Sequence, residues 1–126
     1  MNRIGTDIVE VARIQDAVSR TGEVFLNRVY TKEEQVYCES RGPHRFECYA
    51  ARFAAKEALA KALGTGIGQH ASLTEIEVVH DSLGKPALRL LGGTLDFFTR
   101  NFPGMKIDVS LSHTANLAIA IVLISA

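Results

Sequence analysis

The stretch Ala50 to Gly68, AARFAAKEALAKALGTGIG, constrains the chain more than any other. Alanine has the highest helix propensity and lets neighbouring backbones approach closely, so the run up to Leu63 reads as one helix packed on most sides. Phe53, Glu57 and Lys61 follow at four-residue steps and share one face. Charges on such a helix are partly desolvated and need a partner or an ion. Glu57 four residues before Lys61 is the favourable order for a helical ion pair, and a simple pair is one complete reading of the two. Gly64, Gly66 and Gly68 leave a helix C-terminus, where the dipole is negative, so GTGIG reads as a helix stop and not as a phosphate cradle. An anion held there would rest on Lys56, Lys61 and loop amides.

A length of 126 residues fits one domain, 1–126, with a core that needs no staples. Fourteen basic residues balance fourteen acidic ones without a run of like charge, which argues against a nucleic-acid partner gripped by a broad basic face. Cys38 and Cys48 have no metal-ligand companions and are expected to be free, buried thiols of a reducing compartment. Arg3, Asp7 and Glu10 break any leader-like apolar run, and Leu117 to Ile124 is far short of the roughly 20 residues of a membrane span. The expectation is a cytoplasmic chain without membrane association.

Residues Arg3 to Val9 alternate as a strand, with Ile4, Thr6 and Ile8 on one side and Gly5, Asp7 and Val9 on the other. Asp7 is out of place in such a strand. It admits two roles, a cap for the helix announced by Val11, Ile14 and Val18, or a ligand. Short helices are expected over Glu23 to Val29 and Lys32 to Ser40, the second opened by a Thr31–Glu34 capping box. Gly42-Pro43 then leads into the central helix, His44 to Leu63. His44, Arg45 and Arg52 read as solvent-facing, with Arg45 and Arg52 able to serve an anion. Glu75 to His80 and Pro86 to Leu91 form a hairpin with Lys85 at its tip. Thr94 is the expected N-cap of a helix over Leu95 to Asn101. The last hairpin alternates through Ile107 to Ser112 and returns through Leu117 to Ile124. That final strand is apolar on both faces and must be covered on both, by helices of this chain or by another subunit. The whole reads as an α+β fold with an antiparallel sheet packed against a long central helix.

Taken together, IGTDIVEVARI, FAAKEALAKALGTGI and SLSHTANLAIAIV resemble, in order and across nearly the whole chain, the holo-acyl-carrier-protein synthase family of 4′-phosphopantetheinyl transferases. The resemblance implies metal ligation by Asp7 and Glu57 and a catalytic-site lysine at Lys61. It also implies a coenzyme A pocket drawing on the Gly84-Lys85-Pro86 turn and on His113 and Thr114 of the SHT segment. The larger, two-lobed transferases carry Asp-x-Glu at the first ligand, whereas Val9 stands two residues after Asp7 here. This is similar to the small class, which implies a homotrimer with active sites between subunits.

The implied chemistry suits these residue types. Coenzyme A carries a pyrophosphate whose charge repels a nucleophile, and a hard divalent cation on carboxylates, Mg2+ or alternatively Mn2+, offsets that charge. Apo-acyl carrier protein supplies the attacking serine. Glu57, directly or through a bound water, is the candidate base, and Lys61 the candidate to stabilise or protonate the leaving phosphate. Lys61, Gly64, Gly66, Lys85, Pro86, His113 and Thr114 are the expected coenzyme A contacts. Arg13 and Arg20 are expected to meet the acidic carrier. A non-enzymatic interaction module and a metal-dependent pyrophosphate hydrolase are the competing readings.

Overall fold

The computed structural model describes residues 2–126. Its elements are β1 (Arg3–Glu10), α1 (Val11–Thr21), α2 (Glu23–Val29), α3 (Lys32–Glu39), α4 (Arg45–Leu63), β2 (Ile76–His80), β3 (Pro86–Leu90), α5 (Gly92–Asn101), β4 (Lys106–His113) and β5 (Leu117–Ser125). One antiparallel sheet has the order β1-β5-β4, and β2 and β3 form a separate antiparallel pair. This is the expected α+β arrangement around a long helix.

Helix α4 is the centre of the core. Ala50, Ala51, Ala54, Ala55, Ala58, Ala60 and Ala62 are all buried, together with Tyr49 and Leu59. The small side chains let β1 lie directly on the helix. A Cβ on Gly5 would overlap the Ala58 carbonyl and come within 2.7 Å of the Ala62 nitrogen, so only glycine fits there. Beside this crossing, Arg3 donates from Nε to the Ala62 carbonyl at 3.1 Å and from Nη2 to the Leu63 carbonyl at 3.0 Å. It thereby satisfies carbonyls that the helix end would otherwise leave open. Gly64 takes the left-handed conformation, φ 85°, and stops the helix as the sequence predicts.

The side of α4 facing α3 and β2 holds a buried charge network. Lys56 is fully buried, and its Nζ donates to Glu34 Oε1 at 2.7 Å and to the carbonyls of Leu73 and Ile76. Burial pulls the Lys56 pKa down while Glu34 opposes the shift. Glu34 completes the expected capping box with Thr31 and also accepts from the Val78 amide at 2.9 Å. Lys56 is therefore not available to a bound anion, contrary to the sequence reading. Arg52 is also not solvent-facing. It is 4% exposed, stacks over the Tyr37 ring at 4.5 Å and donates to Cys48 Sγ.

Two further expectations change. Cys38 and Cys48 are joined by a disulfide, because the turn at Gly42-Pro43 folds α3 back on α4 and brings the two Cα atoms to 5.5 Å, within bridging range. Helix α5 begins at Gly92, and its N-terminal amides are held by Glu75, which accepts from Gly93 N, Thr94 N and the Thr94 hydroxyl. Thr94 is thus inside the helix instead of capping it. The last strand is covered on one face only. Ala118, Ala120, Val122 and Ile124 face α4, while Leu117, Ile119 and Ile121 stand on the outer face beside Ile4 and Ile8, which are 70% and 60% exposed.

Candidate functional site

Asp7 occupies the α4-facing side of β1, two residues beyond Gly5, and the close crossing brings it to the turn of α4 that carries Glu57 and Lys61. It does not cap α1, whose N-cap is Glu10 and which has no side-chain cap bond. Lys61 Nζ donates to Asp7 Oδ1 and to the Thr6 carbonyl, each at 3.1 Å. The anticipated helical pair is thus replaced by a bridge between helix and strand, with Lys61 tied to Asp7 in preference to Glu57.

Glu57 and Asp7 line one cavity of about 430 Å³, together with Arg13, Arg20, Phe25 and Phe53. The structure brings the expected metal-ligand pair and the two α1 arginines into one place. Asp16, Phe25 and Phe53 join the lining without having been singled out as site residues. The Ile14 and Phe53 spacings announced core packing, and nothing local marked which edge would stay open. As hard oxygen donors from two elements, Asp7 and Glu57 suit a hard divalent cation. Among the described residues no group of three or more His, Cys, Asp or Glu side chains is placed to hold a metal ion, so further ligands would come from substrate and water.

The remaining expected contacts sit elsewhere on the chain. Pro86 and His113 line a second cavity of about 480 Å³ with Arg41, Arg52, His44 and Glu47. His113 and Thr114 also border a small third cavity beside Ile8 and Ile119. The Thr114 hydroxyl accepts from Asn116 N and Leu117 N, shaping the β4–β5 turn. Gly64 and Lys85 are exposed, the first just beyond α4 and the second at the β2–β3 turn, where Asp81 Oδ1 accepts from Leu83 N and Lys85 N. Gly66 lies in the loop just beyond Gly64, with a positive φ of 68°. The first two cavities share no lining residue.

The family model for the 4′-phosphopantetheinyl transferase superfamily matches residues 3–122. The holo-[acyl-carrier-protein] synthase of Ruminiclostridium cellulolyticum is 49% identical over 122 residues, 97% of this chain and 90% of that protein. The crystal structure of the holo-[acyl-carrier-protein] synthase from Neisseria meningitidis superposes with a TM-score of 0.87 at 35% identity, covering 98% of each chain. That of the Helicobacter pylori synthase in complex with coenzyme A gives 0.83 at 35% identity, covering 97% of this chain and 99% of that one. The chain belongs to the 4′-phosphopantetheinyl transferase superfamily and, within that class of enzymes, to the holo-[acyl-carrier-protein] synthases.

Burial first, then the Asp7 carboxylate, push the Glu57 carboxyl above its ordinary value, with Lys61 opposing. The folded chain therefore holds a proton on Glu57 more readily than the unfolded chain does. Stability falls as pH rises from the ordinary carboxylate range through the raised value. At neutral pH an ionised Glu57 is a net cost to the fold. Glu57→Gln is expected to raise the thermal midpoint of chelator-treated protein at neutral pH, and a midpoint below wild type contradicts this assignment.

Proposed function

We propose that the chain transfers the 4′-phosphopantetheine group of coenzyme A to a serine of apo-acyl carrier protein and releases adenosine 3′,5′-bisphosphate. In this reading it acts as a single domain, 1–126, in the cytoplasm, depends on Mg2+ with Mn2+ as the alternative, and supports fatty acid or polyketide biosynthesis. The observation that carries the reading is the meeting of Asp7, Glu57 and Lys61 at one edge of the β1–α4 crossing, with Asp7 and Glu57 opening on the cavity that Arg13 and Arg20 also line. Neither a binding module nor a purely structural ion pair accounts for three carboxylates, Asp7, Asp16 and Glu57, lining one cavity with Arg13 and Arg20. Disulfides are rare in reducing compartments, so the Cys38–Cys48 bridge removes the support that two free thiols would have given to the cytoplasm.

A hard cation held by Asp7 and Glu57 would neutralise charge on the coenzyme A pyrophosphate. Around it, each residue has a separable task. Glu57 accepts the proton of the carrier serine as its Oγ forms the new bond to the pantetheine-side phosphorus. The bond from that phosphorus to the bridging oxygen breaks, and the electron pair leaves with adenosine 3′,5′-bisphosphate. Lys61 meets the charge developing on that departing phosphate, and its tie to Asp7 fixes where the ammonium stands. Arg13 and Arg20 orient an acidic carrier at the cavity mouth, so the serine approaches from the α1 side. Gly64, Gly66, Lys85, Pro86, His113 and Thr114 hold the remainder of coenzyme A.

The cavity lined by Asp7 and Glu57 has no lining residue in common with the one lined by Pro86 and His113 and only Ile8 in common with the small one beside His113 and Thr114, and the outer face of the β1-β5-β4 sheet is apolar and open. Both observations favour a homotrimer in which one copy supplies Asp7, Glu57 and Lys61 and the next supplies His113 and its neighbours. Light scattering at micromolar concentration is expected to give three times the chain mass, and a monomer mass with full activity contradicts the assembly.

Incubation with coenzyme A and Mg2+, with and without apo-acyl carrier protein, separates transfer from hydrolysis: transfer needs the carrier, hydrolysis does not, and a module does neither. Within the transfer assay, Lys61→Ala is expected to lower kcat about a hundredfold or more at saturating substrates, as losing one preorganised donor does. Lys61→Arg keeps the charge but replaces a compact ammonium with a planar fork, and is expected to rescue poorly. Equal kcat for wild type and Lys61→Ala would reduce Lys61 to a structural bridge.

A further inference from the structure

The second cavity contains a residue that its charge does not explain. Glu47, in the first turn of α4, places a carboxylate between cations: Arg41 and Arg52 line the same cleft, and the Nδ1 atoms of two histidines lie against it. His44 Nδ1 is 3.1 Å from Glu47 Oε1 and His113 Nδ1 is 3.2 Å from Glu47 Oε2. A negative charge in a cleft that binds an anion weakens that binding unless it does something else. A helix N-terminus favours an acidic residue in its first turn, but that preference does not require both carboxylate oxygens to be spent on imidazoles. Glu47 is mostly shielded, with its side chain 18% exposed, whereas His113 is 47% exposed and faces the cleft from the end of β4.

We propose that Glu47 is a positioning residue that holds the His113 ring for coenzyme A. The inference rests on the reading of His113 as a coenzyme A contact. The 3.2 Å approach seats the Nδ1 edge of the His113 ring against the Glu47 carboxylate. Nε2 is thereby left as the ring atom free to meet the ligand, and the ring is kept from turning about χ2. Without Glu47 the imidazole has several orientations to lose on binding, and that cost appears as weaker affinity. The two views of Glu47 predict opposite signs. A like charge near an anion, once removed, tightens binding; an orienting partner, once removed, loosens it.

The test is a double-mutant cycle on steady-state transfer, with circular dichroism confirming that each protein is folded. Glu47→Ala is expected to raise KM for coenzyme A about two- to fivefold, the scale of one partly exposed polar contact, with kcat at saturating coenzyme A unchanged. Glu47→Gln keeps one acceptor oxygen and is expected to fall between the two. In the His113→Ala background, Glu47→Ala is expected to change KM no further, because the ring it orients is gone. A lowered KM in Glu47→Ala, an equal rise in both backgrounds, or a fall in kcat with KM unchanged overturns the proposal. Wild-type protein that shows no coenzyme A-dependent transfer removes the functional reading beneath it, an outcome recognisable before any variant is compared.

Discussion

Where β1 crosses α4, one backbone rests on another with no side chain between them. Gly5 supplies the gap in the strand, and Ala58 and Ala62 supply it in the helix. This contact sets the distance at which everything on the two elements meets. One residue pair along each element, Asp7 comes within 3.1 Å of Lys61 and shares a cavity with Glu57. A larger residue at Gly5 or in the alanine ridge would lift the strand and part these groups. The clamp made by Arg3 on the last carbonyls of α4 fixes the register of the same crossing from its other end.

The opposite side of α4 is fixed by a different force. Lys56 and Glu34 are both buried, and a buried ion pair is by itself weak support for stability, because desolvation can match the Coulomb gain. What the pair does supply is direction. Lys56 Nζ has three acceptors from three segments, and Glu34 ties α3 to β2 through the Val78 amide. Those bonds are satisfied only at one rotation of α4 about its axis. With Lys56 committed to this side, its sequence neighbour Glu57 points to the β1 side. Consecutive helical positions thus divide the work between holding the helix and serving the cavity.

Much of this was legible in the residues because its causes are local. Alanine content and spacing marked α4, the Thr31–Glu34 box marked the start of α3, Gly64 marked the end of α4, and the out-of-place Asp7 marked a residue held from outside its own strand. The features that escaped are choices of partner made across long stretches of chain. Lys61 had a carboxylate four residues away and instead bonds one 54 residues away. Glu34 announced its cap but not Lys56 or Val78, and the amides at the start of α5 are held by Glu75 where Thr94 offered a nearer cap. Cys38 and Cys48 fit no motif and are joined only because α3 and α4 fold back on each other. Arg52 looked like an ordinary helix-surface charge and nothing singled out Glu47, and only the packing of α3, β3 and β4 around them turns that surface into a cleft. Periodicity gives the face of an element, whereas the polar partners on that face are decided by tertiary packing.

The central claim is that the glycine-mediated crossing of β1 and α4 builds the carboxylate pair into a cation site, and Gly5→Ala tests it because Gly5 offers no ligand of its own. The measurement is the affinity for Mn2+ by calorimetric titration of chelator-treated protein, at a temperature where circular dichroism shows wild type and variant both folded. The account predicts binding weakened about tenfold or more, since the added methyl must push the strand, and Asp7 with it, away from Glu57. Wild-type affinity in a folded Gly5→Ala protein would contradict it.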